Sequence, residues 1–94
     1  MKGVTTTGFE FSYDPIVLDD MRFVDTLAEL LDEKTDEFQT LVCSSRLLTM
    51  LLGKDQKERL YDHIAAKNGG RVPYSALEPE IQQIMGVNEE PGKN

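Results

Sequence analysis

Between Leu47 and Met85 the chain runs LLTMLLGKDQKERLYDHIAAKNGGRVPYSALEPEIQQIM, and this stretch limits the folds open to it. It reads as two amphipathic helices joined by a Gly-Gly turn and led in by an apolar run. Leu47, Leu48, Met50, Leu51 and Leu52 make the last turns of the preceding helix apolar nearly all round. Such a segment is either the centre of a core or a contact surface. Gly53 ends that helix at low conformational cost. Asp55 caps the next one, near 55–67, with an inward stripe of Leu60, Tyr61, Ile64 and Ala65. Lys54, Lys57, Glu58, Arg59 and Asp62 fall largely outside the stripe. Asn68-Gly69-Gly70 is a stop and turn signal, and Arg71-Val72-Pro73 a short extended link. Ser75 and Glu78 have the spacing of a capping box, but Pro79 lacks the N–H that a helix interior uses. A short turn at 75–78 with the main helix beginning at Pro79 reconciles the two. Leu77, Ile81, Ile84 and Met85 then face inward, and Gly86 ends the helix. Residues 87–94, VNEEPGKN, read as a disordered tail.

The region before Leu47 divides in three. Residues 4–13, VTTTGFEFSY, alternate Phe9, Phe11 and Tyr13 with Glu10 and Ser12, the period of a strand with one aromatic face. A lone strand leaves its backbone groups unsatisfied, so it pairs with another chain, pairs with itself, or stays flexible. It is an edge for assembly or an arm that leans its aromatics on the helices. Asp14-Pro15 breaks it. A first helix follows near 18–33, opened by Asp19 and Asp20 at its positive end. Val24, Leu27, Ala28 and Leu31 form its stripe, widened by Phe23 and Leu30. Thr35 or Asp36 caps a second helix near 36–52, with Phe38, Leu41, Val42, Leu48 and Leu52 on the inward side. The expected fold is mainly α: a small bundle of about four helices (15–86) with an N-terminal extended strand or arm (1–14).

Ninety-four residues make one domain. Ten Lys and Arg against seventeen Asp and Glu give a net charge of -7. That balance opposes nonspecific binding to nucleic acid, where phosphates require clustered cations, and to anionic membranes. It suits a basic partner, or simple solubility. One cysteine, Cys43, excludes an internal disulfide and points to an intracellular location. No apolar run approaches the ~20 residues of a membrane span, and the first residues, MKGVTTTGFEF, lack the apolar core of a signal peptide.

Groups that could carry chemistry are few. Aligning Gly70 with the glycine of a calcium-binding loop puts Ala65, Lys67, Gly69 and Ala76 at ligand positions, with no carboxylate where the ion needs several. His63, the single histidine, lies beside the stripe of its helix and reads as a boundary residue. Cys43 and His63 are types that can pair as nucleophile and base, but no third orienting group is evident. Four zinc ligands are missing. A helix-turn-helix reading of 55–85 fails on a connection that is too long and on Glu78 and Glu80 at the start of the last helix, where phosphate would lie. The residues point to no enzyme, no metal and no cofactor. They describe a small acidic helical domain that works by contact.

The order of several motifs resembles a known family. Val4-Thr5-Thr6-Thr7-Gly8-Phe9-Glu10-Phe11, the acidic opening Leu18-Asp19-Asp20-Met21, the stretch Leu51-Leu52-Gly53-Lys54-Asp55-Gln56-Lys57-Glu58-Arg59-Leu60-Tyr61-Asp62-His63, and Gly70-Arg71-Val72-Pro73 before an acidic last helix together resemble the small tail assembly chaperones of phages and prophages of Gram-positive bacteria. The likeness covers roughly residues 3–85. The chain departs from it at Asn68-Gly69-Gly70, where an acidic residue before the glycine is usual, and at Glu78-Pro79, where a small capping residue is. The resemblance implies a non-catalytic protein of the host cytoplasm that binds the tape measure protein and keeps it soluble during tail morphogenesis. It also implies a frameshifted longer form as a partner, with this chain as the short form.

Pro91-Gly92-Lys93 can be encoded by CCG GGA AAR, which contains a heptamer on which two tRNAs can slip back one base. This is a hypothesis about codons, and a gene with other codons there and no slippery run nearby removes it. Candidate contact residues are Phe9 and Phe11 on the arm and Leu47, Met50 and Leu51 on the second helix; Met50 suits varied partners because its side chain is flexible. Core packing is the alternative for the helix positions. The unpaired strand leaves a homo-oligomer open. The rival function is an acidic adaptor or inhibitor of a basic host or phage protein, whose binding would fall steeply with salt.

Overall fold

The computed structural model describes residues 1–86; the tail expected at 87–94 lies outside the described residues. The elements are β1 (Lys2–Val4), β2 (Glu10–Ser12), a 3-10 turn (Pro15–Asp19), α1 (Met21–Leu31), α2 (Glu37–Ala65) and α3 (Tyr74–Met85). The class is mainly helical. Among the described residues there are three helices and a two-stranded sheet, where about four helices and one strand were expected. The difference in helix number lies at Gly53. Its backbone (φ 82, ψ 164) is non-helical, so α2 is two helical segments joined at a kink, at the position where a helix end was expected. That region is open almost only to glycine. Lys57 spans the bend, donating from Nζ to Ser45 Oγ (2.8 Å) and Thr49 Oγ1 (2.9 Å), with its ammonium 5.6 Å from the Tyr61 ring centroid.

The N-terminal segment satisfies its backbone by pairing with itself. β1 and β2 are antiparallel, with Lys2 opposite Ser12, Gly3 opposite Phe11 and Val4 opposite Glu10. Thr6, Thr7 and Gly8 form the loop; Thr5 N–H donates to Phe9 O (2.9 Å) and Gly8 N–H to Thr5 O (2.9 Å). The expected single strand 4–13 is therefore the turn and the second strand of a hairpin. The helices then complete its bonds. Gln56 acts as a short extra strand: its Oε1 accepts from Ser12 N–H (2.9 Å) and its Nε2 donates to Ser12 O (2.6 Å). Tyr13 O–H donates to Ile84 O (3.2 Å).

Aspartates punctuate the helical part. Asp14 accepts from Ile16 N–H (3.0 Å), Asp20 from Arg22 N–H (2.9 Å) and Asp36 from Gln39 N–H (2.8 Å), each meeting one of the donors that a helix start leaves free. The first helix is shorter than expected, because 15–19 forms the 3-10 turn and Asp20 opens α1. Its inward stripe is Phe23, Thr26, Leu27 and Leu30; Phe23, Leu27 and Leu30 were expected, Thr26 was not, and Ala28 and Leu31 are exposed. Thr26 can be buried because its hydroxyl donates to Arg22 O (2.9 Å).

The core consists of Phe9, Tyr13, Phe23, Leu47, Leu48, Leu51, Leu52, Leu60, Ile64, Leu77, Ile81 and Ile84. On the first arm of α2 the inward face is Cys43, Ser44, Leu47, Leu48, Leu51 and Leu52. Leu48 and Leu52 were expected there, but Phe38, Leu41 and Val42 were expected inside too and are not. Phe38 is 73% exposed, Leu41 45% and Val42 39%. The small pair Cys43-Ser44 is buried, and Ser44 Oγ bonds Tyr74 OH (3.2 Å). α3 also differs. It starts at Tyr74 after Pro73, with no side-chain cap, and Pro79 sits inside it. The Ser75–Glu78 capping box does not form; Glu78 instead accepts from Gln82 Nε2 (2.8 Å). Pro79 and Ser75 are both exposed, so water can reach the carbonyl of Ser75 that Pro79 leaves without its helical partner.

Candidate functional site

Two regions of the surface are built differently. In the first, the hairpin loop meets α2 and α3 through polar groups. Thr6 N–H donates to Gln83 Oε1 (2.7 Å), Thr7 Oγ1 donates to Glu80 Oε2 (2.7 Å), and Lys67 Nζ donates to Thr7 O (3.0 Å). His63 Nε2 lies 2.9 Å from Thr7 Oγ1. The Thr7 hydroxyl therefore sits between the imidazole and the Glu80 carboxyl group. The order is imidazole, hydroxyl, carboxylate. A nucleophile relay places the imidazole in the middle. The contacts therefore fix the loop. Glu80 is 2% exposed, and its Oε1 has no hydrogen-bond partner among the described residues.

The Cys43 thiol is pushed up from its ordinary value chiefly by burial, with Glu29 adding to the rise and Arg46 opposing it. Cys43 is buried in α2, while His63 Nε2 lies against Thr7 and its ring against Phe9, the centroids 5.6 Å apart. Among the described residues no hydrogen bond joins the pair considered as nucleophile and base. Among the described residues, no group of three His, Cys, Asp or Glu side chains could hold a metal ion. No helix among them is long and apolar enough to cross a membrane.

A second region of the surface is mainly apolar. Leu27, Leu30 and Leu31 from α1, Thr40 from α2, and Tyr74, Ile81 and Met85 with Glu78 and Gln82 from α3 line a groove of about 610 Å³. Tyr74 also borders a second groove of about 310 Å³, shared with Leu41, Tyr61, Val72 and Leu77. Leu31 is 72% exposed at the rim of the first groove. Phe38, Leu41 and Val42 lie at i, i+3 and i+4 on α2, so they share one face of that helix.

The residues expected to make contact fall mostly elsewhere. Phe9, Leu47 and Leu51 are buried in the core, and Phe11 and Met50 are half-buried against it. The Phe11 ring crosses Gly3, where a Cβ would stand 2.7 Å from its Cζ. The run 47–52 is core because α2 is enclosed there by α1, α3 and the hairpin. The exposed face 38–42 was hidden by the same sequence. The first arm carries two apolar stripes, 38-41-42 and 43-44-47-48-51-52, and one core covers only one of them. More apolar positions than a single face can bury was the signal available.

No family model, curated protein or solved structure matches this chain.

Proposed function

We propose that this chain is a phage or prophage tail assembly chaperone, which binds the tape measure protein in the bacterial cytoplasm and keeps it soluble until the tail tube grows around it. The observation that carries the reading is the uncovered apolar surface formed by Leu31, Phe38, Leu41, Val42 and the neighbouring grooves, on a domain of net charge -7. The motif order set out above supports the family. In this reading the contact surface is the start of α2 with α1 and α3, and not the buried Phe9, Leu47 and Leu51. An unassembled helical tape measure segment has an apolar stripe that aggregates. Covering it removes apolar area from water at about 25 cal/mol per Å², and the added negative charge keeps the complexes apart.

The test is co-expression with the tape measure protein from the same gene cluster, read as the soluble fraction of that protein. The unaltered chain raises it. A Phe38→Asp, Leu41→Asp variant keeps its helical circular dichroism, because both side chains already face water, and loses the effect. Undiminished solubilisation by this variant contradicts the reading. Copurification of the unaltered chain with finished virions would mark it instead as a structural tail subunit.

A further inference from the structure

We infer that the groove between α1, α3 and the start of α2 takes one face of an amphipathic helix whose apolar stripe is flanked by lysine or arginine. The inference rests on the contact reading above and specifies the partner's chemistry at that surface. The groove floor is aliphatic, from Leu27, Leu30, Ile81 and Met85. A helix about 10 Å across and three turns long occupies roughly twice its 610 Å³, so the groove seats one stripe of side chains and leaves the rest of the helix outside. The rim is acidic. Residues 27–37, LAELLDEKTDE, carry five carboxylates and one lysine. Asp32 and Glu33 directly follow the rim residue Leu31, and Asp36 and Glu37 lie one turn before the lining residue Thr40. Glu78 lines the opposite wall from α3. Asp32, Glu33, Asp36, Glu37 and Glu78 are all exposed. Cations on either side of an apolar stripe would meet carboxylates on both walls, the arrangement that steers and aligns a charged partner. A second copy of this chain fits less well, since pairing the same face would set two acidic rims against each other.

The experiment uses two synthetic peptides of about 18 residues, five helical turns. Both carry leucine at i, i+3, i+4 and i+7; one has lysines flanking the stripe and its twin has glutamates. Binding to the whole chain is followed by amide chemical shifts, with sedimentation at the same concentration. The lysine peptide binds about tenfold more tightly at low salt, the sum of several exposed ion pairs. Most of that preference vanishes near 1 M salt, where the screening length is about 3 Å. Shifts centre on Leu31, Thr40, Gln82 and Met85. Leu31→Glu weakens both peptides, and a Glu33→Lys, Glu78→Lys variant removes the preference while leaving the fold. Equal affinities, no binding, shifts centred on the hairpin, or a dimer that the peptide must displace would each overturn the inference. Peptide binding here with no tape measure solubilisation would sink the chaperone reading alone. Solubilisation that survives Leu31→Glu and the lysine variant would sink this inference alone.

Discussion

The hairpin region and the groove region of this domain bury comparable kinds of residue and leave different things outside. At the hairpin, a short two-stranded sheet that could not stand alone is finished by side chains from far along the chain: Gln56 on Ser12, Gln83 on Thr6, Glu80 and Lys67 on Thr7. Most polar groups there find polar partners, Glu80 Oε1 excepted, and Phe9 and Tyr13 go into the core, while Met1 and Val4 stay exposed. At the groove, the helices pack through Leu30, Ile81 and their neighbours but stop short of covering Leu31, Phe38, Leu41 and Val42. The contrast separates surface that the fold has used from surface that it has not. A chain that works by contact needs the second kind.

The comparison can be broken first at its most buried point. Leu48→Ala, at a side chain 0% exposed, should cost about 2–5 kcal/mol in urea unfolding. Phe38→Ala should stay within about 0.5 kcal/mol. Equal losses would mean that α2 packs on the other side. The next largest effect belongs to the bend. Gly53→Ala places a Cβ in open space but at a φ of 82, so backbone strain of about 1–3 kcal/mol is the expected loss. An unchanged midpoint would show that α2 runs straight.

These two positions also show what the sequence made legible. Local signals were legible where the physics is local: the caps Asp20 and Asp36 were among the pairs Asp19-Asp20 and Thr35-Asp36 offered for them, Asn68-Gly69-Gly70 is a turn, and Gly86 a stop. The inward side of α2 was not, because Phe38-Leu41-Val42 is as good a helical stripe as Cys43-Ser44-Leu47-Leu48, and only the neighbours decide between them. The hairpin was half-visible: the alternation of Phe9, Phe11 and Tyr13 gave an aromatic face, but Thr6-Thr7-Gly8 lacks the Asn-Gly signal of the tightest turns. Nothing local marks Glu80 for burial, since its partner Thr7 is 73 residues away.

Smaller effects sharpen the contrast. Thr7→Val removes the hydrogen bond that the buried Glu80 carboxyl group accepts among the described residues. The expected loss is about 1–3 kcal/mol, with faster hydrogen exchange at Thr5 and Phe9 and no change in α1. A loss spread evenly over α1 would deny that the hairpin region is a separate unit. Stability should also fall in alkali. Burial raises the Cys43 thiol above its ordinary 9.0 and the Tyr13 hydroxyl above its ordinary 10.0. Each therefore favours folding fully below its unfolded value, and that contribution is lost as pH rises from there through the folded value. The urea midpoint should decline above about pH 9, and less so in Cys43→Ala. A flat profile would place both groups in water.

Site-specific photo-crosslinking in cells making the tape measure protein addresses the uncovered surface most directly. The crosslinking side chain is placed in turn at positions 31, 38, 16 and 21, all occupied by exposed apolar residues: Leu31, Phe38, Ile16 and Met21. Leu31 lines the groove and Phe38 lies two residues before its lining residue Thr40, while Ile16 and Met21 line neither groove. Capture of the tape measure protein from 31 and 38 but not from 16 and 21 is the predicted result. Equal capture from all four, or capture from 16 and 21 alone, would contradict the account.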